Sequence, residues 1–543
     1  MVYEQAIKSR PKEAKEALVK ELKSMMEKKV FHPVHKADIA EEDQKYILKS
    51  MKNYVEKYKP NGEFEKSKVR LLGRGDLQID VGESEAPVCR VESLFLMMSI
   101  AARDNMEVFK IDFVSAYLNT IMPEEVKYKW LELDRHVTAI LVELWPDIFK
   151  GFQMENGRMI VSMGKLSYGW KESAHYWNLV LNQMMTEKGG YKRSFKDKCM
   201  YTIFDKATGE RLVVGVTVDD MACFVTRGSK LKQELINLCE STFGGITLEE
   251  SDVLNIIGMT FTIDRIKKRV LVQQKHYVDK LAKTWGVTKG VSTPATENLF
   301  EVDSESPLLK NQLEFMSINS ACMYGAMRTY PEVLPVTTYL ASRYWKATEE
   351  DMDKAKRVVA YMLNDMDHAL VLECSSNNIV ACADASYAEH HDAKSHTGGC
   401  VGLESGEGVS YFIFVSNKQS IVAKSSCEAE LIAQSSVGEY VVWLKELMVE
   451  LGYDSNKPAL FFQDNKAAII FAKRGSGTFK RTKHINVRYF WLQELIENKT
   501  ITIEYLCTNQ MVADILTKPL MGKQFKMLRR KLLGVQKMQN EQV

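Results

Sequence analysis

The sequence predicts a multidomain chain that combines α/β and α+β architecture. Three observations carry this. The chain has 543 residues, more than one hydrophobic core accommodates. Its first half places short apolar strands beside acids and between helices. Its second half runs strands first and then alternates helix with strand, the pattern of a mixed sheet with flanking helices.

The elements follow in order. Residues 5–30, rich in Ala, Leu, Lys and Glu, read as an amphipathic helix. A turn at Pro60-Asn61-Gly62 leads into a strand around Lys68 to Leu72, together a hairpin. Residues 91–107 are helical, and VFKIDF (108–113) is a short strand ending in an acid. RLVVGVTVDDMACFVT (211–226) is a hairpin with Asp219-Asp220 at its turn. Helices follow at 275–285 and 349–364. A polar turn at Ser375-Ser376-Asn377-Asn378 marks a boundary, with NIVACADAS, GGCVGL and VSYFIFV as a meander beyond it. A long helix from Glu428 to Leu451, the strand ALFFQD (459–464) with a helix after it, the strand TITIEYL (500–506) and a helix opened by VADILTKPL complete the chain.

Bulk properties exclude more than they identify. Hydrophobic residues are 45% and charged residues 27%, ordinary for a globular protein, and the net charge of +2 leaves any nucleic-acid surface to local clustering. The ten cysteines never form C-x-x-C, which argues against a zinc or thiol-redox module and for a reducing compartment. The longest apolar stretch, Ser93 to Ala102, falls far short of the ~20 residues that span a bilayer, and no signal core opens the chain. No membrane partner and no secretion are expected.

Chemistry enters with two sets of carboxylates. Nucleotidyl transfer and phosphodiester hydrolysis use paired divalent ions, and hard ions want oxygen ligands, so acids from separate segments must converge. Asp112 closes a strand, while Asp219 and Asp220 sit at a hairpin tip. Taken alone, each is an ordinary solvated acid.

Together with their surroundings they are not. VFKIDFVSAYLN (108–119) resembles the segment D-V-K-T-A-F-L-N of copia-type retrotransposon reverse transcriptases. TVDDM (217–221) resembles their Y-V-D-D-M, KLSYGWKESAHYWN (165–178) their S-L-Y-G-L-K-Q-S-P-R-Q-W, and EFEKSKVRLLGRGDLQ (63–78) their T-I-E-R-Y-K-A-R-L-V-A-K-G. All four blocks stand in family order. The resemblance implies that Asp112 and Asp219 bind two Mg²⁺, with Mn²⁺ as an alternative, and that Asp220 supports them. It implies that Tyr117 excludes a ribose 2′-OH, that Lys68 and Arg70 pair with the incoming triphosphate, and that Gly169, Lys171 and Glu172 lie near nucleotide and template. Thr217 departs from the family, which has an aromatic there, near the primer end. Glu172, Ala174 and His175 depart from its Gln, Pro and Arg, and residues 127–160 depart more broadly.

The C-terminal unit resembles the family's ribonuclease H. ACADASYA corresponds to A-D-x-D-W-A, NKQSIVAKSSCEAELIAQS to S-K-K-Q-x-x-V-A-x-S-S-T-E-A-E-Y, FQDNKAA to C-D-N-x-S-A, RTKHINVRYF to R-T-K-H-I-D-I-R-Y-H, and ADILTKPL to A-D-I-x-T-K-P-L. The implied metal set, again for two Mg²⁺, is Asp384, Glu430, Asp464 and Asp514. Glu428 is the rival of Glu430. Two residues apart on a helix they point ~200° from each other, and the family's catalytic acid is the one before Leu or Tyr. Lys473, Arg474, Lys480, Arg481, Lys483 and His484 form a basic strip with no acid between, read as a contact to the phosphates of an RNA–DNA hybrid. Glu389, His390, His391, Asp392 and His396 invite a metal reading, but the family has a variable loop here.

The expectation is thus a right-hand polymerase (fingers, palm, thumb, connection) followed by a ribonuclease H-like mixed-sheet α/β domain. Residues 1–265 are assigned to fingers and palm, 266–372 to thumb and connection helices, 373–520 to ribonuclease H and 521–543 to a basic C-terminal tail, either phosphate-binding or simply solvated. Implied partners are an RNA template, a DNA primer, an RNA–DNA hybrid, deoxynucleoside triphosphates and other parts of the polyprotein. The implied location is cytoplasmic virus-like particles, with the nucleus as a further site. Protease and integrase motifs are not visible, so the chain reads as the C-terminal part of a polyprotein or a fragmentary copy. The rival to an active enzyme is a decayed or domesticated nucleic-acid-binding protein without catalysis. A cellular ribonuclease H with a structural N-terminal half leaves the ordered polymerase motifs unexplained.

Overall fold

The computed structural model describes residues 3, 7, 9–58, 64–79, 81–406, 408–474 and 483–534. Helix α1 (Pro11–Glu27) buries Ala14, Leu18, Leu22 and Met25, a four-four-three spacing that puts one apolar stripe on one face. That face packs on strand β1 (Phe64–Gly73), the edge of a five-stranded sheet. The sheet's order is Phe31–Val34, Met159–Met163, Trp130–Leu133, Ile47–Tyr58, β1.

Helix α2 (Val91–Arg103) is buried continuously from Ser93 to Ala102. Such a helix needs cover on every side, and it has it. It contacts the strand Asp220–Val225 of the second sheet, and the strands Arg269–Gln273, Leu370–Glu373 and Gly408–Lys418 of two others. The second sheet has six strands in the order Ile246–Glu250, β2 (Glu107–Phe113), β4 (Asp220–Val225), β3 (Arg211–Thr217), Met200–Phe204, Lys192–Arg193. Its flanking helix α3 (Ser173–Gln183) supplies the buried Trp177.

A third sheet runs Val253–Ile256, Met259–Asp264, Arg269–Gln273, Leu370–Glu373, all antiparallel. Residues 265/266 therefore fall in the turn between two strands of one sheet, and 372/373 fall inside its last strand. The helical segment between them enters and leaves through that sheet. It comprises Lys275–Thr284, Gln312–Ala326, Leu334–Ala341 and Glu349–Asn364.

The fourth sheet has the order Gly408–Lys418, His396–Ser405, β5 (Ile379–Ser386), β6 (Ala459–Gln463), Ile501–Tyr505. The first three pair antiparallel as hairpins, and the last two join in parallel. Parallel neighbours need crossovers, and helix α4 (Ser426–Glu450) packs on this sheet. Four sheets with helices on their faces fit the expected polymerase-plus-ribonuclease-H architecture.

The second and fourth sheets share one apolar core. Phe109, Phe224 and Phe261 belong to the same contiguous cluster as Leu372, Val401, Leu444 and Phe461. A polar seam surrounds it. Glu450 on α4 accepts hydrogen bonds from Ser194 Oγ and from the backbone N–H groups of Phe195 and Lys196. Arg90 lies 4.4 Å over the Trp443 ring, and Arg211 lies 4.3 Å over that of Tyr453.

Within the segment read from sequence as a basic tail, residues 522–532 form helix α5 (Gly522–Leu532), which buries Phe525, Leu528 and Leu532. Arg529 is tied down by Glu332 at 2.8 Å and Asp365 at 2.7 Å.

Candidate active sites

At the first site, β2 and β4 are antiparallel neighbours with Asp112 directly opposite Asp220. Directly paired residues share a face, so both side chains emerge together. A two-residue turn, Val218-Asp219, joins β3 to β4, with Thr217 paired to Asp220. Val218 has φ +56, a left-handed conformation that is costly for a β-branched residue. Two contacts hold the turn. Trp177 Nε1 donates to the Val218 carbonyl at 2.6 Å, and Phe113 N–H donates to the Asp219 carbonyl at 3.0 Å.

The electrostatics are those of crowded acids. Burial raises the Asp219 carboxyl above its usual range, and Asp220 raises it further. Burial also raises Asp220, with Asp112 adding to it and Lys110 opposing. Lys110 Nζ is 3.0 Å from Asp220 Oδ1. Nothing in the sequence pattern singled out Lys110, although its place two residues before Asp112 on one strand puts it on the same face.

Tyr117 lies in the turn after β2 and packs edge-on against Tyr168, ring centroids 5.3 Å apart. Burial raises its hydroxyl, and nearby Asp219 does the same. Arg70 on β1 sits 4.4 Å over the Tyr168 ring with its Nε buried and unpartnered. Glu21 on α1 faces Lys68 and Arg70. Burial raises its carboxyl, while both cations and the Leu71 N–H oppose. Sequence reading missed Glu21, because only the docking of α1 on β1 brings it there.

Two motif blocks are fused by glycines. Gly73 N–H donates to the Tyr168 carbonyl at 3.0 Å. A Cβ on Gly75 would lie 1.8 Å from the Gly169 carbonyl oxygen, and one on Gly169, whose φ is +93, would lie 2.1 Å from that of Gly73. Gln78 then engages Lys171 and Glu172, accepting from Lys171 N–H and donating to Glu172 Oε2, both at 2.9 Å.

At the second site, Asp384 on β5, Asp464 just after β6 and Asp514 in the turn Val512–Leu516 each offer one carboxylate oxygen, all within 4.8 Å of one another. Glu430 on α4 joins them as a buried group. Burial, then Asp384 and Asp464, push its carboxyl up to about 9. Burial and Asp384 push Asp514 up to about 7. Gln463 Nε2 donates to Glu430 Oε2 at 3.2 Å. Thr508 Oγ1 donates to Asp464 Oδ2 at 2.8 Å, and Thr517 Oγ1 donates to Asp384 Oδ2 at 2.5 Å. Glu428 is occupied elsewhere, accepting from the Lys424 N–H at 2.8 Å.

Four mutually repelling acids, all oxygen donors, suit a hard divalent cation and make poor company without one. Among the described residues, this is the single place where three carboxylate ligand atoms gather so tightly. Lys518, four residues after Asp514, reaches both Asp514 at 2.9 Å and Asp384 at 3.1 Å. It lies within ADILTKPL, a motif whose pattern points only to its acid.

Of the basic strip, Lys473 is exposed near the end of the helix Lys466–Arg474, whereas Lys480 and Arg481 lie outside the described residues. Lys483 and His484 begin the helix Lys483–Glu497, and their side chains, like that of Arg474, lie outside what is described. His390 and His396 hydrogen-bond each other at 3.1 Å, and His396 Nε2 meets Ser416 Oγ at 2.8 Å. This is a buried polar pair within an aromatic cluster.

Residues 43–297 match the family model described as reverse transcriptase (RNA-dependent DNA polymerase). The chain is 24% identical over 498 residues to the retrovirus-related Pol polyprotein from transposon TNT 1-94 of Nicotiana tabacum, covering 89% of this chain and 35% of that protein. It is 23% identical over 476 residues to the retrovirus-related Pol polyprotein from transposon RE1 of Arabidopsis thaliana, covering 86% and 30%. The chain thus spans about a third of the length of these curated relatives. Among solved structures, a foamy viral protease-reverse transcriptase in complex with double-stranded DNA is similar at 11% identity and a TM-score of 0.45, over 84% of this chain and 67% of that one. Among the described residues, no helix is long and apolar enough to cross a membrane.

Proposed function

We propose, from the premise that this chain belongs to the Pol polyproteins of copia-type retrotransposons and carries their reverse transcriptase region at residues 43–297, that it copies RNA into DNA at one carboxylate site and cleaves the RNA strand of the resulting hybrid at another. The observation that carries the reading is the presence of two separate acid clusters on one scaffold. One is Asp112 opposite Asp220 at the strained hairpin, and the other is the Asp384, Asp464 and Asp514 cage with Glu430.

When bound, paired Mg²⁺ ions lower the pKa of the attacking oxygen and steady the departing one. The chain's own residues do the rest. Asp112 and Asp219 offer oxygens at the hairpin, with Asp220 held by Lys110 as their support. Lys68 and Arg70 present cations to the triphosphate, and Arg70's unpartnered Nε is a donor in search of an acceptor. Tyr117, braced by Tyr168, closes the space beside the sugar. In the second cage, Thr517, Thr508 and Gln463 hydrogen-bond the carboxylates of Asp384, Asp464 and Glu430 and so hold their orientations. The strip from Lys473 to His484 supplies phosphate contacts to the hybrid. RNA template, DNA primer and deoxynucleoside triphosphates are the substrates this reading requires.

The test is primer extension on an RNA template with Mg²⁺, beside cleavage of a labelled hybrid. Asp219→Asn is expected to stop extension and spare cleavage, and Asp464→Asn the reverse. Loss of both activities in either variant would overturn the two-site division. The rival, a silent nucleic-acid-binding copy, draws on Thr217, and binding without either activity in the parent chain would establish it.

A further inference from the structure

The second cage already contains a cation. Lys518 Nζ stands 3.1 Å from Asp384 Oδ2 and 2.9 Å from Asp514 Oδ1, the distances of charge-assisted hydrogen bonds to two of the three acids whose oxygens converge within 4.8 Å. We propose that Lys518 is a tethered competitor for one metal position: its ammonium occupies the mouth of the cage between Asp384 and Asp514, and must give up those oxygens when a divalent cation takes them. This rests on reading the triad as a metal cage.

Three features support it. The first is geometric. An ammonium satisfies carboxylates at ~2.9 Å, whereas Mg²⁺ needs them at ~2.1 Å in near-octahedral order, so both cations cannot share the same lone pairs at full occupancy. The second is the anchorage. Lys518 sits one turn after Asp514 on the same segment, and the neighbouring Thr517 clamps Asp384 at 2.5 Å, so the ammonium is delivered by the very loop that supplies an acid. The third is exposure of the side chain. The Lys518 side chain is 34% exposed while those of Asp384 and Asp514 are 3% and 2%, so the ammonium can swing to solvent while the acids stay. A lysine in this place keeps buried acids from repelling one another in the empty cage, and it sets a threshold that metal must exceed.

The experiment uses the full chain carrying Asp112→Asn, which weakens metal binding at the first site, and titrates Mn²⁺ by electron paramagnetic resonance. Adding Lys518→Met is expected to tighten Mn²⁺ binding at least about fivefold and to lower the melting temperature of the metal-free protein. Unchanged or weaker binding overturns the proposal. A second readout needs no change at Lys518. In the same Asp112→Asn chain, acylation of Lys518 by an amine-reactive ester, followed by mass spectrometry, is expected to rise about threefold on Mn²⁺ addition as the ammonium is released. Constant or reduced labelling overturns it. Asp384→Asn separates this from the underlying reading. If that change leaves the number of bound Mn²⁺ ions unaltered, the triad is not the cage, and the competitor role falls with it.

Discussion

Asp112 and Asp220 face each other across two antiparallel strands, and Lys110, on the same strand as Asp112, holds Asp220 at 3.0 Å. Lys110 thus supplies a counter-charge to Asp220, and the proposed function assigns Asp112 to the metal. Asp112→Asn is therefore expected to reduce primer extension by about 10²–10³-fold, the scale of losing one preorganised charge at a reacting centre. Hybrid cleavage should stay within about twofold of the parent. Gel assays of both reactions on one preparation check this, and an equal loss of both would show that the sites are not separable.

Val218 holds a left-handed conformation at the hairpin tip with φ +56. Asn tolerates that region far better than Val. Val218→Asn is expected to stabilise the protein by roughly 0.5–1 kcal/mol, read as a higher denaturant midpoint at constant slope. A lower midpoint would mean that Val218's contacts outweigh the backbone strain.

His390 and His396 are buried together. Burial lowers His390 to about 4 and His396 to about 3, and Lys418 lowers both. His391 and Lys394 also lower His390, while Asp392, itself bonded to Lys418, opposes. Groups whose folded pKa lies below the unfolded value bind fewer protons when folded, so stability is intact above ~6.5 and is lost as pH falls toward the folded values. Each histidine should cost roughly 2 kcal/mol between about pH 7 and pH 5. His396→Asn should flatten that slope by about one proton, measured by unfolding across this range. An unchanged slope would sink the assignment.

Arg529 on α5 pairs with Glu332, whose side chain is fully buried and also accepts from Tyr361 at 2.7 Å. Arg529→Met leaves that carboxylate uncompensated and should cost about 3–5 kcal/mol. Adding Glu332→Gln should restore much of the loss. Denaturant unfolding of the two single variants and the double variant completes the cycle, and additive losses would show no coupling.

The strands and hairpins were legible because short apolar runs punctuated by Asp and Gly leave few alternatives, as at VFKIDF and TVDDM. The C-terminal sheet was legible in its order of elements, since strands first and alternation later can close only as antiparallel hairpins followed by parallel crossovers. What stayed hidden depends on contacts distant in sequence. Glu21 reaches Lys68 and Arg70 only through the packing of one helix on one strand. Helix α5 carries so many Lys and Arg residues that its stripe of Phe525, Leu528 and Leu532 was obscured. The third sheet joins Arg269–Gln273 to Leu370–Glu373, a pairing across about a hundred residues that no local pattern announces. Lys518 was in plain view, and a basic residue four positions after a buried acid is a signal worth reading.

The apolar cluster that runs from Phe109 and Phe224 to Val401 and Phe461 has a consequence for any attempt to divide the molecule. A protease cut or gene split near residue 375 would not release two self-sufficient folds. Each fragment would carry a raw greasy scar where the other had been, with Trp443 and Tyr453 stripped of their arginines, and would clump or seek its lost half. Severance here is therefore expected to destabilise both fragments together.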